Sequence, residues 1–169
     1  MILIALGANL EHPLHGAPLN SLTAAVQEIE KCGLTITHQS SWYKTAPVPI
    51  SDQPWFVNAV IAVKSDLGAK ELLKKLHAIE EIFGRVRDVK WEARVLDLDL
   101  LCHDDLISEN RDQTAGYVIP HPYIQERTFV LAPLVEILLA WRHPVTGLTA
   151  GEMLEKLGGS QAFEIISNA

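Results

Sequence analysis

Asp97 and Asp99 stand two residues apart in Val95-Leu96-Asp97-Leu98-Asp99-Leu100-Leu101, a run in which leucine alternates with aspartate. On an extended strand this spacing projects both carboxylates from one face, with Cα atoms about 6–7 Å apart. Hard oxygen ligands so placed suit a divalent cation or a pair of them, because magnesium takes one or two carboxylates and completes its shell with water and phosphate oxygens. The segment just before is basic: Arg85, Arg87, Lys90 and Arg94 set four cations against Asp88 and Glu92. Guanidinium forks beside a carboxylate pair match a polyphosphate. A loop carrying them can close over bound phosphates, exclude water and stabilise charge that develops during transfer.

Aromatic residues interleave with this polar set. Trp91 lies inside the basic loop, and Trp55-Phe56 closes a Pro-rich loop two residues before Asn58. Aromatic faces stack on a flat ring, and an inward amide pairs with the donor and acceptor edge of a heterocycle. His121 sits between two prolines in Ile119-Pro120-His121-Pro122-Tyr123, a stiff segment able to present an imidazole to phosphate. Neither a Gly-x-x-x-x-Gly-Lys-Ser/Thr run nor a Gly-x-Gly-x-x-Gly run is present, so side chains and metal must hold the phosphates. No second His or Cys stands at zinc-ligand spacing, and Cys32 and Cys102 are read as buried thiols.

The elements that must position these residues follow from hydrophobic periodicity. Ile2–Leu6 reads as a short buried strand. Leu22, Ala25, Val26 and Ile29 recur at helical spacing up to Cys32-Gly33. Residues 34–44 and 56–64 are β-rich, with the Pro-rich loop between them. Leu72, Leu76, Ile79 and Phe83 form one stripe of a helix from Ala69 to Phe83, and Val95–Leu101 is the strand with the charged face. The order β-α-β-β-α-β predicts an α+β, ferredoxin-like fold: an antiparallel sheet with two helices on one face, followed by helices over Phe129–Leu139 and Thr149–Leu157. The connections 46–55 and 84–94 are long for a compact domain, which points to function.

The chain of 169 residues suits a single domain spanning 1–169, and its 48% hydrophobic content is ordinary. With 14 basic and 21 acidic residues the net charge is −7, which argues against nucleic acid as a partner and requires any anion to be met by local basic clustering. The N-terminus lacks the basic region and cleavage site of a signal peptide, and no apolar run approaches the roughly 18 residues of a membrane span. A soluble, cytoplasmic protein is the expectation, with no membrane partner and a monomeric state.

Taken together, these residues resemble the 6-hydroxymethyl-7,8-dihydropterin pyrophosphokinase family of folate biosynthesis. The likeness covers nearly the whole chain: Leu6-Gly7-Ala8-Asn9-Leu10, Ser40-Ser41-Trp42-Tyr43-Lys44-Thr45, Asp52-Gln53-Pro54-Trp55-Phe56-Val57-Asn58-Ala59, Gly84-Arg85-Val86-Arg87, Arg94-Val95-Leu96-Asp97-Leu98-Asp99, and Pro120-His121-Pro122 with Arg127-Thr128-Phe129. The most specific element is Gly-Arg-Val-Arg followed by Leu-Asp-Leu-Asp. The resemblance implies transfer of the diphosphate of ATP to the pterin hydroxymethyl group, with release of AMP and with two Mg2+ ions held by Asp97 and Asp99. It implies that Arg85 and Arg94 are the catalytic-loop arginines, and that Arg87, His77, Leu100, His121 and Arg127 contact the nucleotide. Phe56 and Phe129 would sandwich the pterin, Asn58 and Thr45, Ala46, Pro47 and Val48 would read its edge, and Trp91 would close over it. The chain departs from the family pattern where Gly-Ser-Asn is Gly7-Ala8-Asn9, where Trp-Gly-Pro-Arg is Trp91-Glu92-Ala93-Arg94, and in a longer segment over Asn110–Val118.

Two other readings share parts of the pattern. A nucleotidyltransferase or nuclease would share the aspartate pair without the pterin pocket. An RNA-recognition module would share the fold, although the acidic balance and the lack of an aromatic RNP motif count against it.

Overall fold

The computed structural model describes residues 1–84, 93–109 and 117–166. Its centre is an antiparallel sheet built from β1 (Ile2–Ala8), β2 (Thr35–Gln39), β3 (Tyr43–Thr45), β4 (Phe56–Lys64), β5 (Asp97–His103) and β6 (Phe163–Ile165). The strand order is β5-β1-β4-β3-β6, with β2 also pairing with β4. The helices are α1 (Pro18–Lys31), α2 (Ala69–Ile82), α3 (Thr128–Ile137) and α4 (Ala150–Leu157). This is the expected ferredoxin-like arrangement with additional C-terminal helices. Among the described residues no helix is long and apolar enough to cross a membrane.

Each helix forms for a local reason. Pro18 opens α1, where a missing N–H costs nothing, and its Leu22, Ala25 and Ile29 stripe is fully buried. Leu72, Leu76 and Ile79 do the same for α2. Thr149 caps α4 by accepting from the Glu152 backbone N–H, while Glu152 accepts from Thr149, and Gly158 ends the helix in the left-handed conformation at φ 60°. With Val130, Leu131 and Leu134 buried, α3 is largely apolar.

The two faces of the sheet are covered by different helices. Ile2, Ile4 and Leu6 of β1, Ile61 and Val63 of β4, and Leu96, Leu98 and Leu100 pack under α1 and α2. Leu3, Ala5, Val60, Ala62, Leu101 and Cys102 point the other way, against α3 and α4. The second pair of helices therefore closes the face that the first pair leaves open.

The structure refines several element boundaries. The β-rich run 34–44 is two strands, β2 and β3, on the same edge of β4. Ser40 makes the break: its Oγ accepts from the Val60 N–H at 3.0 Å, and its own N–H donates to the Val60 carbonyl at 3.0 Å. β6 was not expected, because three exposed residues carry too little periodicity to mark a strand. Cys102 is buried, whereas Cys32 at the end of α1 packs against the edge of the core and is only half-buried.

Candidate active site

The Leu-Asp alternation folds as its spacing requires. Leu96, Leu98 and Leu100 are almost wholly buried beneath α1 and α2, while Asp97 and Asp99 lie partly open on the opposite face of β5. A one-residue slip would expose three leucines, at about 1.5–3 kcal/mol each, and bury two carboxylates, so the register is strongly held. The buried Glu80 of α2 adds to this by accepting from the Leu98 N–H at 2.7 Å, between the two aspartates.

Strand register brings the next residues alongside. Gly7 pairs with Asp97 on one side and Asn58 on the other, and Asn58 pairs in turn with Tyr43. A Cβ at position 7 would lie 2.8 Å from Asn58 Oδ1, so only glycine admits this amide at the floor. Asn58 Nδ2 donates to Thr45 Oγ1 at 2.7 Å, and Phe56 pairs with Thr45 in the register.

The opposite wall comes from the segment leading into α3. His121 Nδ1 accepts from the Tyr123 N–H at 3.2 Å, so the proton of the neutral imidazole resides on Nε2, which stands 3.9 Å from Asp99 Oδ2. Burial pushes the His121 pKa below its ordinary value, which favours that neutral form. Arg127 donates to Asp99 Oδ2 at 3.2 Å, with its guanidinium 5.4 Å from the centres of both the Tyr123 and Phe129 rings.

Arg94 is ion-paired with Asp97. Its backbone is held by the buried Asn9, whose Oδ1 accepts from the Arg94 N–H at 2.6 Å and whose N–H donates to the Arg94 carbonyl at 2.9 Å. Asn9 Nδ2 also donates to Gln53 Oε1 and the Pro54 carbonyl, so one side chain joins three loops.

These walls enclose a cleft of about 400 Å³. Of the residues expected from sequence, Thr45, Ala46, Pro47, Val48, Phe56, Asn58, Arg94, Asp97, Asp99, His121, Arg127 and Phe129 all line it. Its two ends differ chemically. Phe56, Phe129 and the Asn58 amide form a slot fit for a flat heterocycle, while Asp97, Asp99, Arg94, Arg127 and His121 form an end suited to cations and phosphate.

Two expected residues are not on the cleft wall. Leu100 is buried under α1 and α2, because the alternation that exposes Asp99 turns its neighbour inward. His77 lies on α2, across the sheet from the cleft, and does not line it. Arg85, Arg87 and Trp91, with Lys90 and the segment 110–116, lie outside the described residues. Conversely, sequence reasoning gave no role to Gly7, Asn9, Gln53 or Tyr123. Gly7, just past the predicted strand Ile2–Leu6, carried no signal of close approach, and the others act through contacts with distant segments.

Two carboxylates on one strand face are a hard-oxygen donor pair that fits magnesium. Among the described residues no group of three or more His, Cys, Asp or Glu could hold a metal ion. Magnesium completes its shell with water and phosphate oxygens, so a carboxylate pair suits it.

Comparison with known proteins bears on this arrangement. The family model described as 7,8-dihydro-6-hydroxymethylpterin-pyrophosphokinase matches residues 3–139. The chain is 37% identical over 155 residues to the 2-amino-4-hydroxy-6-hydroxymethyldihydropteridine pyrophosphokinase of Synechocystis sp., covering 91% of this chain and 74% of that protein. It is 35% identical over 159 residues to the enzyme of the same name from Methylorubrum extorquens, covering 93% of each. The mitochondrial folate synthesis bifunctional protein of Arabidopsis thaliana is 38% identical over 137 residues, of which the match spans only 23%. The solved structure of wild-type Plasmodium falciparum HPPK-DHPS superposes with a TM-score of 0.68 at 15% identity, over 92% of this chain and 44% of that one, a likeness of fold.

Proposed function

The chain belongs to the 7,8-dihydro-6-hydroxymethylpterin-pyrophosphokinase family, and from that membership we infer that it transfers the diphosphate of ATP to the hydroxymethyl oxygen of 6-hydroxymethyl-7,8-dihydropterin. The products are AMP and the pterin diphosphate, in folate synthesis. What supports this reading most is that one cleft holds a slot for a flat heterocycle at one end and paired carboxylates with guanidinium groups at the other.

The roles follow from chemistry. Phe56 and Phe129 stack on the two faces of the pterin, while Asn58 and the segment 45–48 hydrogen-bond its edge. Asp97 and Asp99 would hold two magnesium ions. Bound there, magnesium would supply charge neutralisation along the phosphate chain and polarisation of the group being transferred. Arg94 and Arg127, paired here with the two aspartates, carry guanidinium forks that match phosphate oxygens. His121 donates from Nε2 to a phosphate oxygen. Arg85 and Arg87 meet the same chain, and Trp91 covers the pterin.

The acceptor oxygen forms a bond to the β-phosphorus while the bond from that phosphorus to the α,β-bridging oxygen breaks, and the hydroxyl proton passes to solvent. Such transfer proceeds through a loose transition state, so in-line positioning and charge neutralisation outweigh a strong base.

This reading takes residues 1–169 as one domain, acting as a monomer in the cytoplasm and binding neither nucleic acid nor membrane. Light scattering tests the oligomeric state. The decisive assay supplies magnesium and ATP with the dihydropterin present or omitted. AMP release that requires both magnesium and the pterin is expected. Equal AMP release without the pterin, or release of inorganic pyrophosphate in place of transfer, overturns the assignment.

A further inference from the structure

The run 161–166 lies beyond residue 139, where the family match ends, and forms no part of the cleft lining. It nevertheless bonds to both walls. On one side β6 pairs with β3, matching Tyr43 to Ile165 and Thr45 to Phe163, and the Ala46 N–H donates to the Ala162 carbonyl at 3.2 Å. On the other side the Gln161 amide holds the entry to α3. Its Oε1 accepts from the Thr128 N–H at 2.9 Å, and its Nε2 donates to the Glu126 carbonyl at 2.8 Å.

The amide meets a need of the helix. Thr128 opens α3, its N–H has no acceptor within the helix, and Arg127 at the cap position supplies no side-chain oxygen. Gln161 provides that acceptor from a distant segment and fixes the backbone on both sides of Arg127. The two cleft residues that follow differ in tolerance. The Arg127 guanidinium ends a long stem and is held by Asp99, so it can follow small backbone shifts. The Phe129 ring has only two side-chain torsions, and its direction is set by the helix that carries it. Burial does not account for the attachment, because every residue of β6 is exposed.

We propose that Gln161 is a positioning residue for the acceptor: by tying the first turn of α3 to the strand paired with β3, it sets the width of the slot between Phe129 and the Thr45 side. The proposal rests on the pterin reading of that slot.

Steady-state kinetics of the full chain at saturating magnesium and ATP, with dihydropterin varied, test it alongside calorimetric titration of the pterin and thermal midpoints. Gln161→Leu removes both hydrogen bonds at similar size. It is expected to raise the pterin KM by about three- to tenfold while kcat stays within about twofold and the KM for ATP is unmoved. Gln161→Glu keeps the acceptor for Thr128 but sets a carboxylate against the Glu126 carbonyl, and is expected to give a smaller rise. Glu164→Gln, on exposed β6, should match the unsubstituted chain. A lower midpoint with an unchanged pterin KM, or a fall in kcat at constant KM, would make Gln161 an ordinary helix cap and overturn the proposal. Should Gln161→Leu fail to fold, Gln161→Glu decides by the same criterion. Absence of pterin-dependent AMP release from the unsubstituted chain overturns the reaction itself, and this role with it; normal turnover with an unmoved KM in the variants overturns the role of Gln161 alone.

Discussion

Gly7 acts through the side chain it lacks. Its neighbours across the sheet are Asp97 and Asn58, so it lies between the aspartate end of the cleft and the Asn58 end. Gly7→Ala would drive a methyl against Asn58 Oδ1 and pull the amide away from Thr45. The expected outcome is a pterin affinity weaker by about tenfold, the cost of one misplaced buried hydrogen bond, with the fold retained. Calorimetric titration of the pterin checks it. Asp97 and Asp99 carry a heavier role. On the proposed metal role, Asp97→Ala or Asp99→Ala should reduce AMP release by at least about a thousandfold while the circular dichroism spectrum is unchanged, because the metal stabilisation lost would be worth several kcal/mol. Activity retained in both variants would refute the metal role. These two aspartates and Asn58 were legible in sequence because polar residues inside apolar strands need a reason. Asn9 was not, since its partners Arg94, Gln53 and Pro54 are more than forty residues away.

At the scale of elements, α3 closes the sheet face that bears the cleft, and Glu136 ties its C-terminal end to the break between β2 and β3. Glu136 accepts from the Ser41 N–H at 2.9 Å, the Ser41 hydroxyl at 2.8 Å and the Tyr43 hydroxyl at 2.8 Å. Burial pushes its carboxyl up, but the bonds from the Ser41 backbone, Tyr43 and the Ser41 hydroxyl together hold it below the ordinary 4.5. A depressed folded-state pKa gives stability that is complete above pH 4.5 and lost as pH falls through the folded value. Glu136→Ala should cost about 1 kcal/mol at neutral pH, a modest figure because the group is solvent-exposed. The gap in thermal midpoint between it and the unsubstituted chain should shrink as pH is lowered below 4.5; a gap independent of pH would contradict this account. The helices α1 and α2 were legible from periodicity, since each buries one continuous stripe, and β4 from its β-rich composition. The division of 34–44 into β2 and β3 was not, because it depends on a Ser40 hydroxyl meeting the Val60 N–H across the sheet.

The whole molecule carries a net charge of −7, yet one end of the cleft gathers the guanidinium cations of Arg94 and Arg127, beside the neutral His121, around two carboxylates. The cations come from segments on both sides of β5, so the local balance differs from the global one. On the proposed reading, magnesium held by Asp97 and Asp99 would draw its other ligands from phosphate and water and contribute little to folding. Chelation with EDTA should therefore abolish AMP release and leave the thermal midpoint of the free protein unchanged; a midpoint that falls on chelation would point to a structural metal. By itself the sequence determined which residues carry charge, which face of β5 they share and which stripes of the first two helices are apolar, because alternation and helical spacing are properties of neighbouring residues. Only the tertiary structure decided that Gly7 adjoins Asn58, that Asn9 anchors Arg94, and that Gln161 reaches the start of α3. Those contacts depend on strand register and on helices packed against opposite faces of one sheet, and neither leaves a periodic trace along the chain.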